Sequence, residues 1–332
     1  MKHVSILVPH QAVMASIVDP RTMFAGANDF LLAAGKKPLF NIQLVGHARK
    51  IKLTGGQFTV HTDALLKEVN KTDLIIIPAI GGDIKTTLKQ NKQYLPWIIN
   101  QHKKGAEVAS LCVGAFLLAA TGLLNGKECS SHWMMAEQFR DMFPEVKLVN
   151  GRIVTELQGL YSSGGATSYW NLLLHLVEKY AGREIAITAS KVYALEIDRK
   201  SQSPFAMFTG QKKHEDEPIK QAQEFIETNF TERILVEDLA QKFAIGRRHF
   251  ERRFKIATNN TPNEYIQRVK MEAAKKSFEI SNKNVSEVMY EVGYGDSKAF
   301  RTIFRKFTGL SPVAYRNKYN KRAEQHLVNL LS

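Results

Sequence analysis

A unit of about fifty residues occurs twice in the C-terminal third of this chain, and that repetition constrains the fold more than any other feature. Phe250-Glu-Arg-Arg-Phe254-Lys255 returns as Phe300-Arg-Thr-Ile-Phe304-Arg305. Each copy follows a short amphipathic segment and a glycine-containing turn, Ala244-Ile-Gly246 and Val292-Gly-Tyr-Gly295. Each precedes a hydroxyl–proline pair, Thr261-Pro262 and Ser311-Pro312. Phenylalanines four apart share one face of a helix. In the first copy Leu239, Ala240 and Phe243 form the stripe of a helix over 236–243. Gly246 is expected to turn the chain through a positive φ. A second helix over 247–256 then buries Phe250 and Phe254 and turns Arg247, Arg248, His249, Glu251, Arg252, Arg253 and Lys255 outward. In the second copy Asn284 with Glu287 predicts a capping box, Asp296 an N-cap and Gly309 a helix-ending glycine. Phe300, Ile303 and Phe304 face inward there, and Ser297, Lys298, Arg301, Thr302 and Arg305 face outward. Between the copies, Thr261, Pro262 and Glu264 open a helix over 262–279. A second helix with an apolar stripe and a crowded basic exterior meets what entry into a DNA major groove requires. Two such readers on one connecting helix should reach successive grooves, roughly 34 Å apart. A bundle with merely solvated charges would need the repeat, both turns and both basic helices to coincide by accident.

Charge points the same way. Lys and Arg number 46 against 32 Asp and Glu, a net +14. The excess divides evenly about residue 200, so its density is higher in the shorter C-terminal part. Such a balance favours nucleic acid or an anionic membrane surface. The apolar stripes serve better as bundle core than as a membrane-binding face, so no membrane partner is expected. The longest apolar run, 111–124, is broken by Gly114 and Gly122 and falls short of the roughly 18–20 residues of a membrane span. Cys112 and Cys129 are too few for a disulfide framework, and no secretory pattern opens the chain, so a cytoplasmic protein is expected.

The first 200 residues alternate apolar runs with amphipathic ones. Strands are predicted at 4–8, 40–45, 74–78 and 108–112, with short ones at 147–149 and 153–156; helices at 20–34, 94–104, 115–121 and 167–180. Continuous apolar strands followed by helices predict an α/β three-layer domain over 1–200, with a flavodoxin-like parallel sheet. Residues 201–217 hold Ser, Gly, one proline and mixed charge, with a second proline at once after them, and read as a linker. An all-α domain with two helix-turn-helix units follows over 218–318, then a tail, 319–332. No histidine spacing suits a metal, and no cofactor is expected.

Residues 218–318 resemble the AraC/XylS family of bacterial regulators. The signature is strongest over Tyr290-Glu-Val-Gly-Tyr-Gly-Asp-Ser-Lys-Ala-Phe-Arg-Thr-Ile-Phe-Arg-Lys-Phe-Thr-Gly-Leu-Ser-Pro-Val-Ala-Tyr-Arg316. Gly246 stands where the family often has Ser or Thr, and Asn260 where it often has Gly before Thr-Pro. The resemblance implies double-stranded DNA as partner. It carries base contacts onto Arg248, Glu251 and Arg252 in the first reading helix and Ser297, Lys298 and Arg301 in the second, with Arg247 and Thr302 beside them in the interface. It leaves RNA polymerase open as a further partner.

Cys112 lies between a predicted strand and a predicted helix, an arrangement like a nucleophile elbow. A helix N-terminus there is expected to lower the thiol's pKa. Gly81-Gly82 could offer backbone N–H groups to an oxyanion, and His132 could approach through the fold. The run Ser110-Leu-Cys-Val-Gly-Ala-Phe-Leu-Leu-Ala-Ala-Thr-Gly-Leu-Leu-Asn-Gly-Lys-Glu-Cys-Ser-Ser-His-Trp133, with Gly164-Gly165-Ala-Thr, resembles the DJ-1/PfpI superfamily, a class I glutamine-amidotransferase-like fold. The subgroup is that joined to AraC domains in GlxA-type regulators, and the resemblance covers about 1–195. Relatives with reactive cysteines usually carry a carboxylate four residues before a proline; here Ser16 precedes Pro20 by four, and Asp19 is off register. Val113 follows Cys112 where protease-like relatives often place histidine. Three readings of Cys112 stay open: a small thiol filling the elbow, a pocket residue in a sensor, or a reactive nucleophile. The expectation is a regulator without turnover, with Cys112 and His132 as a vestigial elbow. Ser16, Gly82, Cys112, Val113 and His132 would line the pocket of an unidentified small-molecule effector, and the chain would form a homodimer. The alternative is a cysteine enzyme of amidase or glyoxalase type with autoregulatory DNA binding.

Overall fold

Leu74–Ile77 is buried along its whole length because it is covered from both sides: Leu74 and Ile76 face one core, Ile75 and Ile77 another. A strand with two buried faces needs an unbroken apolar run, and the run identifies the centre of a three-layer domain. The computed structural model describes residues 1–320 apart from Asn150, Asp198 and Lys213. Most of the expected tail, 321–332, lies outside the described residues. The chain divides into two units, Met1–Gln202 and Ser203–Ser332.

The strands of the first unit are β1 (Lys2–Leu7), β2 (Phe40–Gly46), β3 (Lys50–Leu53), β4 (Phe58–His61), β5 (Ala64–Leu65), β6 (Leu74–Ile77), β7 (Glu107–Ser110), β8 (Glu128–Cys129), β9 (Lys147–Leu148), β10 (Val154–Leu157) and β11 (Leu160–Ser163). Its α-helices are α1 (Ala15–Ala33), α2 (Ile84–Gln90), α3 (Tyr94–Lys103), α4 (Ala115–Ala119), α5 (Ala136–Met142), α6 (Tyr169–Ala181) and α7 (Arg183–Val192). The main sheet runs β10-β11-β7-β6-β1-β2-β5 and is parallel except for the β10–β11 hairpin. Helices α1, α6 and α7 fill one core, and α3, α4 and α5 the other. The first helix starts at Ala15, so Pro20 lies inside it rather than at its start. Burial of Ser16 and Ile17 recruits the extra turn. The β3–β4 hairpin, α2, β11 and α7 were not anticipated from the sequence.

The second unit comprises α8 (Glu217–Thr228), α9 (Val236–Lys242), α10 (Arg247–Thr258), α11 (Pro262–Ile280), α12 (Val285–Glu291), α13 (Ser297–Thr308) and α14 (Pro312–Tyr319). It has two cores. Phe250 and Phe254 pack with Leu239, Ala240, Tyr265 and Ile266 in one; Phe300 and Phe304 pack with Val288, Met289, Met271 and Phe278 in the other. Helix α11 contributes to both, and its 19 residues span roughly 28 Å at 1.5 Å per residue. Both predicted capping boxes form, at Thr261/Glu264 and Asn284/Glu287, and the Asp296 carboxylate accepts from the Ala299 N–H at 2.6 Å.

The turns correct one expectation. Gly246 has φ −58, and Ala244 takes the left-handed conformation instead, at φ 52. Ala244 N–H donates to the Gln241 carbonyl and Ile245 N–H to the Ala240 carbonyl. Gly293 and Tyr294 repeat those two bonds to Tyr290 and Met289. Both helices therefore end in a Schellman motif, and its left-handed position precedes Gly246 by two residues. After α10 the left-handed cap is Asn259, φ 54, the counterpart of Gly309 at φ 73.

The stretch expected as a linker, 201–217, is instead drawn into the two units. Gln202 is buried in the first. In the second, Phe208 stacks edge-on against Tyr265, and the Ala206 carbonyl accepts from Lys275 Nζ at 2.7 Å. Apolar and hydrogen-bonding partners supplied by residues distant in sequence hold a segment whose own pattern is featureless.

Candidate functional site

Helices α10 and α13 present their polar faces to solvent. Arg248 and Arg252 on α10, and Ser297, Lys298, Arg301 and Thr302 on α13, are exposed, while the phenylalanines behind them are fully buried. Arg247 pairs with Glu237 at 3.1 Å and with Glu251 at 3.2 Å. Both pairs are exposed, so they exchange readily for other partners. Thr302 Oγ1 donates to the Lys298 carbonyl at 2.8 Å. Arg253 is different in kind: it forms a bidentate pair with Asp216, at 2.9 and 2.7 Å, and so fastens α10 to the start of α8. Where the two cores meet, Lys270 is buried with Nζ donating to the Glu232 carbonyl at 3.1 Å and the Gly293 carbonyl at 3.3 Å. Burial lowers its pKa. These bonds tie the loop before α9 to the turn after α12 and so bridge the two cores of the second unit.

In the first unit Cys112 has φ 53, the strained turn of an elbow between β7 and α4. Gly114 lies so close to β6 that a Cβ there would meet the Ile77 carbonyl at 2.7 Å. Cys112 N–H donates to Ser163 Oγ at 3.1 Å, and its carbonyl accepts from Ser131 Oγ at 3.2 Å. The residue is 4% exposed, and burial pushes the thiol up to about 11, against the smaller opposite effect of the Val113 backbone bond. Burial thus works against the lowering expected from a helix N-terminus, and α4, with only five residues, offers a short dipole to oppose it.

The residues expected around the elbow are engaged in hydrogen bonds of their own. His132 Nδ1 accepts from the Met134 N–H at 3.1 Å, capping a short 3₁₀ turn, and burial lowers its pKa. Among the described residues no hydrogen bond joins it to Cys112. Ser16 Oγ donates to the Val13 carbonyl at 2.7 Å and accepts from the Ala79 N–H at 3.0 Å, anchoring α1 to the segment after β6. Gly81 N–H donates to the Gln11 carbonyl at 2.8 Å, so this half of the expected oxyanion donor pair is already engaged. Gly82 is exposed at φ 72, and Val113 is half-buried. Asp19 accepts from the Tyr169 hydroxyl at 2.6 Å. Burial first, then Asp19 and the nearby Cys112, raise the Tyr169 pKa, which puts that phenol within electrostatic reach of the elbow.

Residues 239–318 match a helix-turn-helix domain, of the AraC type. Residues 2–179, over half of the chain, match the DJ-1/PfpI family. The chain belongs to the DJ-1/PfpI family. Among curated relatives, the HTH-type transcriptional regulator GbdR of Pseudomonas aeruginosa is 24% identical over 237 residues, covering 70% of this chain and 64% of GbdR. The HTH-type transcriptional regulator ArgR of the same species is 26% identical over 217 residues, covering 65% of this chain and 66% of ArgR. The chain thus spans a little under two thirds of the length of these relatives. A crystal structure of a Vibrio parahaemolyticus protein, provisionally named a transcriptional regulator, matches with 26% identity and a TM-score of 0.52 over 57% of this chain and 98% of that one.

In this DJ-1/PfpI member the sequence pattern marks the elbow and the exposed faces of α10 and α13 but not Ser131, Ser163, Tyr169 and Lys270. The serines sit in short polar segments without apolar period. Lys270 looks like any other lysine on a charged helix until both carbonyls close on it.

Proposed function

We propose that this chain is a sequence-specific DNA-binding transcriptional regulator whose α10 and α13 enter successive major grooves. One observation carries the reading: two exposed basic helices, each backed by its own phenylalanine core, share the single connecting helix α11. The regulator names of GbdR and ArgR support it. Arg248, Glu251, Arg252, Ser297, Lys298 and Arg301 contact bases, with Arg247 and Thr302 beside them. The elbow of the first unit is an effector site without turnover, because burial raises its thiol pKa to about 11 and, among the described residues, no imidazole or carboxylate is bonded to it. Ser16, Gly82, Val113 and His132 surround that site, and the chain acts as a homodimer. A bound effector shifts DNA affinity by binding the two states of the protein unequally.

The test is a salt-titrated binding assay of the full chain on its own upstream DNA against random DNA. Specific binding that weakens with salt, and falls by about 1–3 kcal/mol for each of Arg252→Ala and Arg301→Ala, is the expected result. Equal affinity for both DNAs in low salt, unmoved by either substitution, would refute it.

A further inference from the structure

Gln202 is the last residue of the first unit, and its carboxamide is buried there, with the residue 2% exposed. Its Oε1 accepts from the Gly165 N–H at 2.7 Å. Its Nε2 donates to the Ser131 carbonyl at 3.0 Å and to the Arg152 carbonyl at 3.3 Å. Its backbone N–H donates to the Gly151 carbonyl at 2.7 Å, and the preceding Ser201 forms an antiparallel bridge with Arg152. The surroundings are cut to this side chain: a Cβ on Gly164 would meet Gln202 Cδ at 2.5 Å, and one on Gly165 would meet Oε1 at 3.0 Å. The Gly164-Gly165 pair is thus accounted for by a group that the chain itself supplies.

The partners of Gln202 are also partners of the elbow. Ser131, whose carbonyl holds the carboxamide, donates its hydroxyl to the Cys112 carbonyl at 3.2 Å. Ser163, which adjoins Gly164, accepts the Cys112 N–H at 3.1 Å. Two short routes therefore run from Cys112 to Gln202, one through Ser131 and one through Ser163, Gly164 and Gly165. The next residue in the chain, Ser203, begins the second unit.

We propose that Gln202 is a latch that reports the state of the Cys112 elbow to the point where the chain leaves the first unit. A group entering the elbow displaces Ser131 or the Gly164-Gly165 loop. The buried carboxamide then loses its matched donor and acceptors, and the exit segment is released. This rests on the reading of the elbow as an effector site and gives that site its means of transmission.

Amide hydrogen exchange of the full chain, resolved to Gly165 and to 199–204, reads the latch directly. Gln202→Ala should speed exchange at Gly165 by roughly tenfold or more while the β6 and β7 amides stay protected. Cys112→Leu, which fills the elbow, should speed exchange at the same two places. If that variant does not fold, methyl methanethiosulfonate on Cys112 of the wild-type chain at alkaline pH supplies the bulk instead. An unchanged Gly165 in Gln202→Ala overturns the latch. So does a response to Gln202→Ala with none at 199–204 to a filled elbow, which would make Gln202 a plain anchor. DNA is absent from this readout, so the latch and the regulator reading fail separately.

Discussion

Raising the pH is the perturbation that separates a sensor elbow from a catalytic one. Burial moves the Cys112 thiol from 9.0 to about 11. At pH 8 the thiolate fraction is then about 0.1%, against about 10% for a thiol titrating at 9, so alkylation is about a hundredfold slower before any steric effect. Linkage fixes the sign for stability. The folded thiol holds its proton between about pH 9 and 11 while the unfolded one releases it, so the effect is absent below 9 and destabilises the fold as pH rises. The slope is about 1.4 kcal/mol per pH unit, summing to roughly 3 kcal/mol by pH 11. The assay is pulsed iodoacetamide labelling of the full chain from pH 7 to 11.5, with peptide mass spectrometry separating Cys112 from Cys129, which burial pushes up to about 12. Urea unfolding at pH 8 and 10.5 should show that Cys112→Ala removes part of the alkaline loss. A labelling midpoint below pH 8 would refute the reasoning and restore Cys112 as a nucleophile.

Three further outcomes follow from the second unit. Ala244→Gly relieves a left-handed alanine on an exposed turn and should raise stability by about 1 kcal/mol in urea unfolding; a loss would contradict the Schellman assignment. Gly293→Ala should cost about 3 kcal/mol, because φ is 73 and the new methyl strikes the Thr231 carbonyl, so an unchanged Tm would speak against this packing. Lys270→Met leaves the Glu232 and Gly293 carbonyls without their donor, at about 1–3 kcal/mol each less the relieved burial of the ammonium. It should also weaken binding to properly spaced DNA more than to random DNA, and equal weakening would show that it does not set the register.

The second unit was the more legible half because its signals are local. Phenylalanines four apart, an Asn or Thr three residues before a Glu, and a glycine after a helix each act within one turn of backbone, and the structure places them as the spacing predicts. Gly246 misled because two glycine-rich turns looked alike, whereas the hydrogen bonds set the left-handed residue by its distance from the helix end. In the first unit the strands with two apolar faces were visible, but β11 was not. Its Ser162 and Ser163 look like loop until Ser130 and Cys112 supply their donors.

By itself the sequence determined the apolar periodicity of both units, the capping of the second, the alternation of the main strands and helices in the first, and the elbow position of Cys112. Each depends on residues within about one turn or one strand of each other. Only the tertiary structure decided that burial raises the pKa of the Cys112 thiol, that Ser16 is an anchor, that Lys270 bridges the loop before α9 and the turn after α12, and that Gln202 shares Ser131 with the elbow. Those properties arise from desolvation and from hydrogen bonds between residues tens of positions apart. No pattern along the chain encodes them, since burial is a property of what folds over a residue and not of its neighbours in sequence.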